Sequence, residues 1–286
     1  DAHTDFIIAV AAEEYGLILV LIIIALYALV VVRSFFRLMR ELNGTMINQN
    51  EVAADFMTSQ GFKTWAIIHD TTDYGKGHNE YFSKFVTEKG GKILGTFGVT
   101  SDQQDFTAEL TKIKELKPDV IYFGGLTPIG VRIRQQMDKL GIEAQFQGVS
   151  GIKSDAFFAG LSGDLAEGTV TFLEGAPAAK LPGGAYFVSE YKKAGFGEDY
   201  EAYGPFAFAA MNLLLDAVET VGPDRKAITA YLSDVKEHDS ITGPITFDAN
   251  GQNTVALITT YVAQDGGWAV WGDSEYATGK RKLTGR

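Results

Sequence analysis

The sequence predicts an α/β protein in which a mostly parallel sheet, covered by helices on both faces, is preceded by an apolar helix and followed by a helical segment. Three observations carry this expectation. From about Asn43, short β-type runs alternate with amphipathic stretches separated by Gly and Asp, the pattern of successive βαβ units. From Tyr15 to Val32 no residue is charged and nearly all are Leu, Ile, Val or Ala; as a helix this run spans about 27 Å, close to a bilayer core. Between Tyr186 and Val235, three amphipathic or strongly apolar segments follow one another with no strand pattern between them.

Composition narrows the function classes. The chain has 286 residues, 46% apolar and 21% charged, which is a folding composition with room for one large or two medium domains. A net charge of -11 repels phosphate backbones, so nucleic acid is not an expected partner. Residues 1–43 hold three Arg against two Asp and three Glu, so nine of those eleven charges belong to the remainder. No cysteine is present, which removes disulfides, thiolate metal sites and cysteine nucleophiles, and only four histidines remain for metal or base chemistry. No cofactor and no metal is expected.

The elements follow in order. Asp1, Asp5, Glu13 and Glu14 precede the apolar run where a secretory leader would carry Lys or Arg, and no small-x-small cleavage site follows it, so a transmembrane-type helix is expected over residues 15–32. Arg33, Arg37 and Arg40 come next, which places the amino end outside and the rest of the chain in the cytoplasm. Strands are expected at Thr64–Ile68, Lys92–Val99, Asp119–Phe123, Gln145–Gly148 and Gly168–Leu173, and helices at Gly77–Lys89, Phe106–Leu116, Ile129–Leu140 and Asp155–Leu161. Ligands of such sheets lie beyond the strands' carboxyl ends, so His69–Tyr74, Gly124–Thr127 and Val149–Gly151 share one rim.

Several motifs dissolve on inspection. Gly75-Lys-Gly-His-Asn-Glu80 lacks the third glycine of a dinucleotide loop and the Lys-Ser/Thr of a phosphate loop. Gly148-Val-Ser-Gly-Ile152 lacks the last glycine of a nucleophile elbow, and no histidine is placed by sequence to serve Ser150, so catalysis is not expected. His78 with Glu80, and His238 with Asp239, lack metal spacing and read as solvated residues. Asp102 and Asp105 read as acceptors for backbone N–H groups at a helix amino end, and the lysines of 112–117 as a solvated helix end.

Two resemblances add to this reading. Asp1-Ala-His-Thr-Asp-Phe-Ile-Ile-Ala-Val-Ala-Ala-Glu-Glu-Tyr-Gly16 and the run after it resemble a late transmembrane segment of SEDS peptidoglycan polymerases over residues 1–41, without that family's catalytic apparatus. Gly61-Phe-Lys-Thr-Trp-Ala-Ile-Ile-His-Asp-Thr-Thr-Asp-Tyr-Gly75, Asp105–Lys114, Lys117-Pro-Asp-Val-Ile-Tyr-Phe-Gly-Gly125, Tyr203-Gly-Pro-Phe-Ala-Phe-Ala-Ala210 and Thr242–Gly251 resemble, in order, the type I periplasmic binding proteins of branched-chain amino-acid ABC transporters. The chain thus reads as a fusion of the two. The second resemblance implies capture of an amino acid or similar small polar solute in a cleft between two lobes, and docking on an ABC permease. It implies residues 44–174 as lobe two, 175–246 as the helical remainder of an incomplete lobe one, and 247–286 as hinge and strands crossing back.

By family position Tyr74 and Tyr203 would contact the ligand, Leu126 stands where a second aromatic is expected, and Ser150 stands where a glutamate pairs with the ligand's ammonium. A hydroxyl offers no charge, so recognition of an ammonium would need Asp155 or another carboxylate. The binding-protein resemblance implies the periplasm, against the orientation set by the arginines. The other expectation is a membrane-tethered interaction module. Helices without their sheet would expose several large apolar side chains, at about 1.5 to 3 kcal/mol each, so this half, including 204–221, is expected to be misdocked, covered by a partner or by the apolar helix, or only locally ordered.

Overall fold

The computed structural model describes residues 44–284 except Gly163, Asp199, Glu201, Asn250 and Ala256. The apolar run at 15–32 and the arginines that follow it lie outside the described residues. Among the described residues, no helix is long and apolar enough to cross a membrane.

Helix α1 (44–59) turns Met46, Asn50, Ala53, Ala54 and Met57 inward at three- and four-residue spacing. Alternation then follows: β1 (Thr64–Asp70), α2 (Asp73–Glu88), β2 (Lys92–Val99), α3 (Thr107–Leu116), β3 (Val120–Gly124), α4 (Thr127–Lys139), β4 (Gln145–Gly148), α5 (Asp155–Ala159) and β5 (Val170–Glu174). Three helices come next, α6 (Gly184–Ala194), α7 (Gly204–Val221) and α8 (Arg225–Ser233), before β6 (Ile258–Gln264) and β7 (Gly267–Val270). One seven-stranded sheet results, in the order β2-β1-β3-β4-β5-β6-β7. Its first five strands run parallel, while β6 pairs antiparallel with β5 and β7 with β6.

Period-two alternation gives the sheet two buried faces. Trp65 and Ile67 of β1 join Phe82, Tyr122 and Phe172 against α1 and α2. Ala66 and Ile68 join Leu110, Ile133 and Phe157 against α3, α4 and α5. Strands buried on both faces read as continuous apolar runs, which is why β1 and β3 were legible as strands.

Helix α2 begins four residues before the expected Gly77. Gly75 and Gly77 depress local helix propensity, but Thr72 caps the helix: its hydroxyl accepts from Gly75 N at 3.3 Å, and Asp70 Oδ1 in turn accepts from Thr72 N at 3.0 Å. The expectation of a solvated His78 is also overturned. Its side chain points into the core at 1% exposure, with Asn50 Nδ2 at 2.9 Å from Nδ1, and burial lowers its pKa to about 3. The imidazole is therefore neutral, accepting at Nδ1 and leaving Nε2–H without a partner. Asp105 behaves as expected, accepting from Thr107 N at 2.8 Å. Lys114, exposed in the last turn of α3 as expected, also donates to the terminal carbonyl of the neighbouring helix at Leu140, at 2.6 Å.

Beyond the sheet the packing thins. Helix α7 buries only Pro205, Ala209, Leu213 and Ala217, a stripe one residue wide repeating every four. No residue of α8 is buried, and the small core here is Leu213, Val235 and Ile245. At the far end the chain is tied to the sheet by Arg281, which pairs with Glu167 at 2.7 Å, Asp265 at 2.8 Å and Glu275 at 2.8 Å.

Candidate ligand-binding site

Strand order sets the place of the site. The chain steps from β1 outward to β2, then crosses back over β1 to β3, so the connections after β1 and β3 leave the sheet in opposite directions. A crevice opens at the carboxyl ends of strands on either side of such a reversal. The loop after β1 leads into Tyr74 in the first turn of α2, β3 ends at Gly124 before Leu126, and β4 ends at Gly148 before Ser150.

These three expected residues meet. The Tyr74 hydroxyl and Ser150 Oγ share a hydrogen bond of 3.2 Å. A Cβ placed on Gly151 would lie 2.5 Å from Gly125 O, 3.1 Å from Leu126 Cδ2 and 3.2 Å from the Tyr74 hydroxyl, so the close approach of these loops requires glycine there. Leu126 itself is 53% exposed and lies along the rim as an apolar side chain without cover. Burial, followed by the charge of Glu174, outweighs the Ser150 bond and pushes the Tyr74 phenol up to about 12, so it stays protonated.

Tyr203, 56% exposed just before α7, reaches the same place through a residue the sequence reading missed: its hydroxyl donates to Glu174 Oε2 at 3.3 Å. Glu174 is the last residue of β5, and its other oxygen accepts from Gln49 Nε2 at 2.8 Å. Gln49 also donates to Phe172 O at 2.8 Å, so α1 fixes the end of β5. Burial raises the Glu174 pKa, opposed by hydrogen bonds from the chain and from Tyr203 and Ser150. Asp155 is exposed in the first turn of α5 and is not among the groups around Glu174. Asp70, 2% exposed, is held by Thr72 N and the Thr72 hydroxyl. Only its place, one residue past an apolar run on the rim side, could have pointed to Glu174.

Chemically the rim can accept hydrogen bonds, place aromatic and aliphatic surface against a small apolar group, and offer one carboxylate. Among the described residues no group of three His, Asp or Glu side chains could hold a metal ion.

Gly75 supports this arrangement from below. A Cβ there would lie 2.4 Å from both Asp70 O and Asp70 Oδ1 and 2.8 Å from Gly124 O. Two of these atoms are backbone carbonyls of adjacent strands and cannot swing away. Gly75→Ala is therefore expected to lower stability by about 1 to 3 kcal/mol by overpacking and to part Tyr74 from Ser150. Chemical denaturation and the Tyr74 ring resonances check both; an alanine variant as stable as the parent would show that the first turn of α2 gives way freely.

An open α/β sheet with a polar crevice at its strand reversal is the architecture of the doubly wound class, in which small molecules bind at such crevices. Sequence comparison names the family: the chain belongs to the periplasmic binding protein family, which it matches over residues 39–267. Residues 1–54 match a second family, described as cell cycle protein, in line with the SEDS resemblance of residues 1–41. A Leu/Ile/Val-binding protein homolog 2 of Brucella abortus is 33% identical over 193 residues, 67% of this chain and 51% of the relative. The Leu/Ile/Val-binding protein BraC3 of Rhizobium johnstonii is 31% identical, covering 74% of this chain and 58% of the relative. The crystal structure of a leucine binding protein, LivK, from Thermotoga maritima superposes with a TM-score of 0.70 at 25% identity, over 78% of this chain and 64% of that one. The chain thus spans about half the length of the curated relatives it matches.

Proposed function

We propose that the chain is the solute-binding component of an ABC transporter, taking an amino acid or a similar small polar solute, and catalysing nothing. The observation that carries this is the meeting of Tyr74, Ser150 and, through Glu174, Tyr203 at the reversal point of the sheet. In this reading 44–174 is lobe two, 175–246 is helical remainder of lobe one, and 247–286 crosses back. An ABC permease is the partner, and residues 1–43 are a membrane anchor. Three residues touching a solute from one side give weak capture, because a cleft that buries most of its ligand is what makes small-molecule binding strong.

A Kd near 1 mM with ~20 mM leucine stabilises by about 1.8 kcal/mol, a rise in melting temperature of several degrees. That rise is expected for leucine, isoleucine or valine and not for an equimolar neutral sugar. No shift with any of the three would sink solute capture, and a micromolar constant by calorimetry would show that the cleft is complete without further chain.

The exposure of Met211 and Leu215 on α7 supports a second reading, a membrane-tethered interaction module. A stable dimer or hetero-complex burying residues 204–221, with no ligand-dependent shift in melting, would decide for it.

A further inference from the structure

Among the described residues, no cation pairs with the half-buried carboxylate of Glu174. Its oxygens accept from Gln49 Nε2 and the Tyr203 hydroxyl, both neutral donors, and none of the ion pairs among the described residues includes it. Asp70 lies buried on the same rim, held by Thr72 alone, and its charge as well as that of Glu174 is felt at Tyr74. The rim is thus negative, and no Lys or Arg is among the groups acting on Tyr74, Glu174 or Tyr203. A partly desolvated carboxylate without a counter-charge is costly to the free protein, and that cost falls when a cation arrives. Neutral donors that hold the carboxylate in place without neutralising it are what pre-organises such a receptor.

Around it stand the acceptors an ammonium group needs. A primary ammonium has three N–H donors; the Glu174 carboxylate, Ser150 Oγ and a tyrosine hydroxyl are three oxygens on this rim, Ser150 bonded to Tyr74 and Glu174 to Tyr203. Leu126 and the two tyrosine rings supply apolar surface for a short aliphatic chain. Nothing comparable on this rim meets a carboxylate, which would face the charge of Glu174, with that of Asp70 buried behind it.

Resting on the solute-capture reading, we propose that Glu174 anchors the ammonium group of the ligand from the end of β5, where Ser150 cannot, so that this crevice selects a primary alkylammonium over the matching carboxylate. The ammonium then matters more than the rest of the amino acid: isopentylamine binds at least as well as leucine, and isocaproate, which keeps the chain and the carboxylate but lacks the amine, does not bind. Affinity requires ionised Glu174. It is therefore full above the raised pKa of this carboxyl and is lost as pH falls through it, while the amine stays charged throughout.

The test uses the whole 286-residue chain with isopentylamine, leucine and isocaproate as probes, read by the Glu174 side-chain carboxyl resonance in carbon-detected NMR and by melting temperature. Isopentylamine and leucine are expected to shift that resonance and lower its titration midpoint, isocaproate to leave both unchanged, and Glu174→Gln to weaken isopentylamine by at least about tenfold. Glutamine keeps one oxygen to accept from Gln49, its NH2 can donate to the Tyr203 hydroxyl, which then accepts, and the uncompensated charge is removed, so the variant folds. Leucine binding that leaves the Glu174 resonance unmoved, or that survives Glu174→Gln at parental affinity, overturns the anchor and leaves solute capture standing. A response to none of the probes in either readout overturns both.

Discussion

In the monomeric chain, amide hydrogens of α7 are expected to exchange at least about a hundredfold faster than those of β1, a gap of about 3 kcal/mol in opening free energy. The reason is the contrast in what each element buries. Trp65, Ala66, Ile67 and Ile68 of β1 are fully buried between two helical layers, so their amides open only with the whole sheet. Helix α7 is held by one stripe, Pro205, Ala209, Leu213 and Ala217, while Met211 at 55% and Leu215 at 51% exposure face outward. A helix draws most of its stability from packing of an apolar face, and a stripe one residue wide supplies little of it. Its neighbours do not compensate, because α8 buries nothing and α6 contributes only Gly184 and Phe187. Aromatic contacts of Phe187 with Phe208 at 5.6 Å and Tyr200 at 5.1 Å hold the helices to each other, not to a sheet. Equal protection of residues 204–221 and 64–68 in a sample shown to be monomeric would overturn this account.

That contrast bears on which parts of the molecule are legible in sequence. Strands β1 and β3 are continuous apolar runs of β-branched and aromatic residues, and a sheet covered on both faces demands that pattern, so their positions follow from composition alone. The start of α2 was not legible although its cap is local, with Thr72 accepting from Gly75 N and held by Asp70, because Gly75 and Gly77 read as helix breakers. That only glycine fits at Gly75 is set by the end of β3 at Gly124, distant in sequence. Burial of His78 was hidden for a related reason. The residue lies beside exposed Glu80 in sequence, and its partner Asn50 comes from another helix. Tyr74, Leu126 and Ser150 could be placed on one rim because parallel strands send their carboxyl ends to the same edge. Glu174 obeys that rule too, yet nothing in Phe172-Leu-Glu-Gly175 distinguishes it from a solvated strand end; its significance comes from Gln49 and Tyr203, distant in sequence on either side.

Phe82→Ala is expected to cost about 3 to 5 kcal/mol, against a total of about 5 to 15 for a domain. The ring is fully buried on α2, stacked on Tyr122 at 3.9 Å and 10° and set edge-on to Trp65 at 6.3 Å. Offset stacking adds to the area it buries, and the cavity left behind would border polar groups already short of partners. Tyr122 donates to Asn50 Oδ1 at 2.7 Å, Asn50 meets His78, and both His78 Nε2 and Trp65 Nε1 lack partners, so water entering the gap finds donors that draw it in. Phe82 also sits two turns beyond Tyr74 on the same helix, so loosening it frees the element that aims Tyr74 at Ser150. Phe82→Leu, which refills most of the volume, is expected to cost under about 1.5 kcal/mol and to keep that aim. Urea titrations give the two costs as shifts in midpoint at constant slope. A loss below about 1.5 kcal/mol for the alanine variant would mean that α2 rests on its cap and on Phe85 and Val86 rather than on this stack.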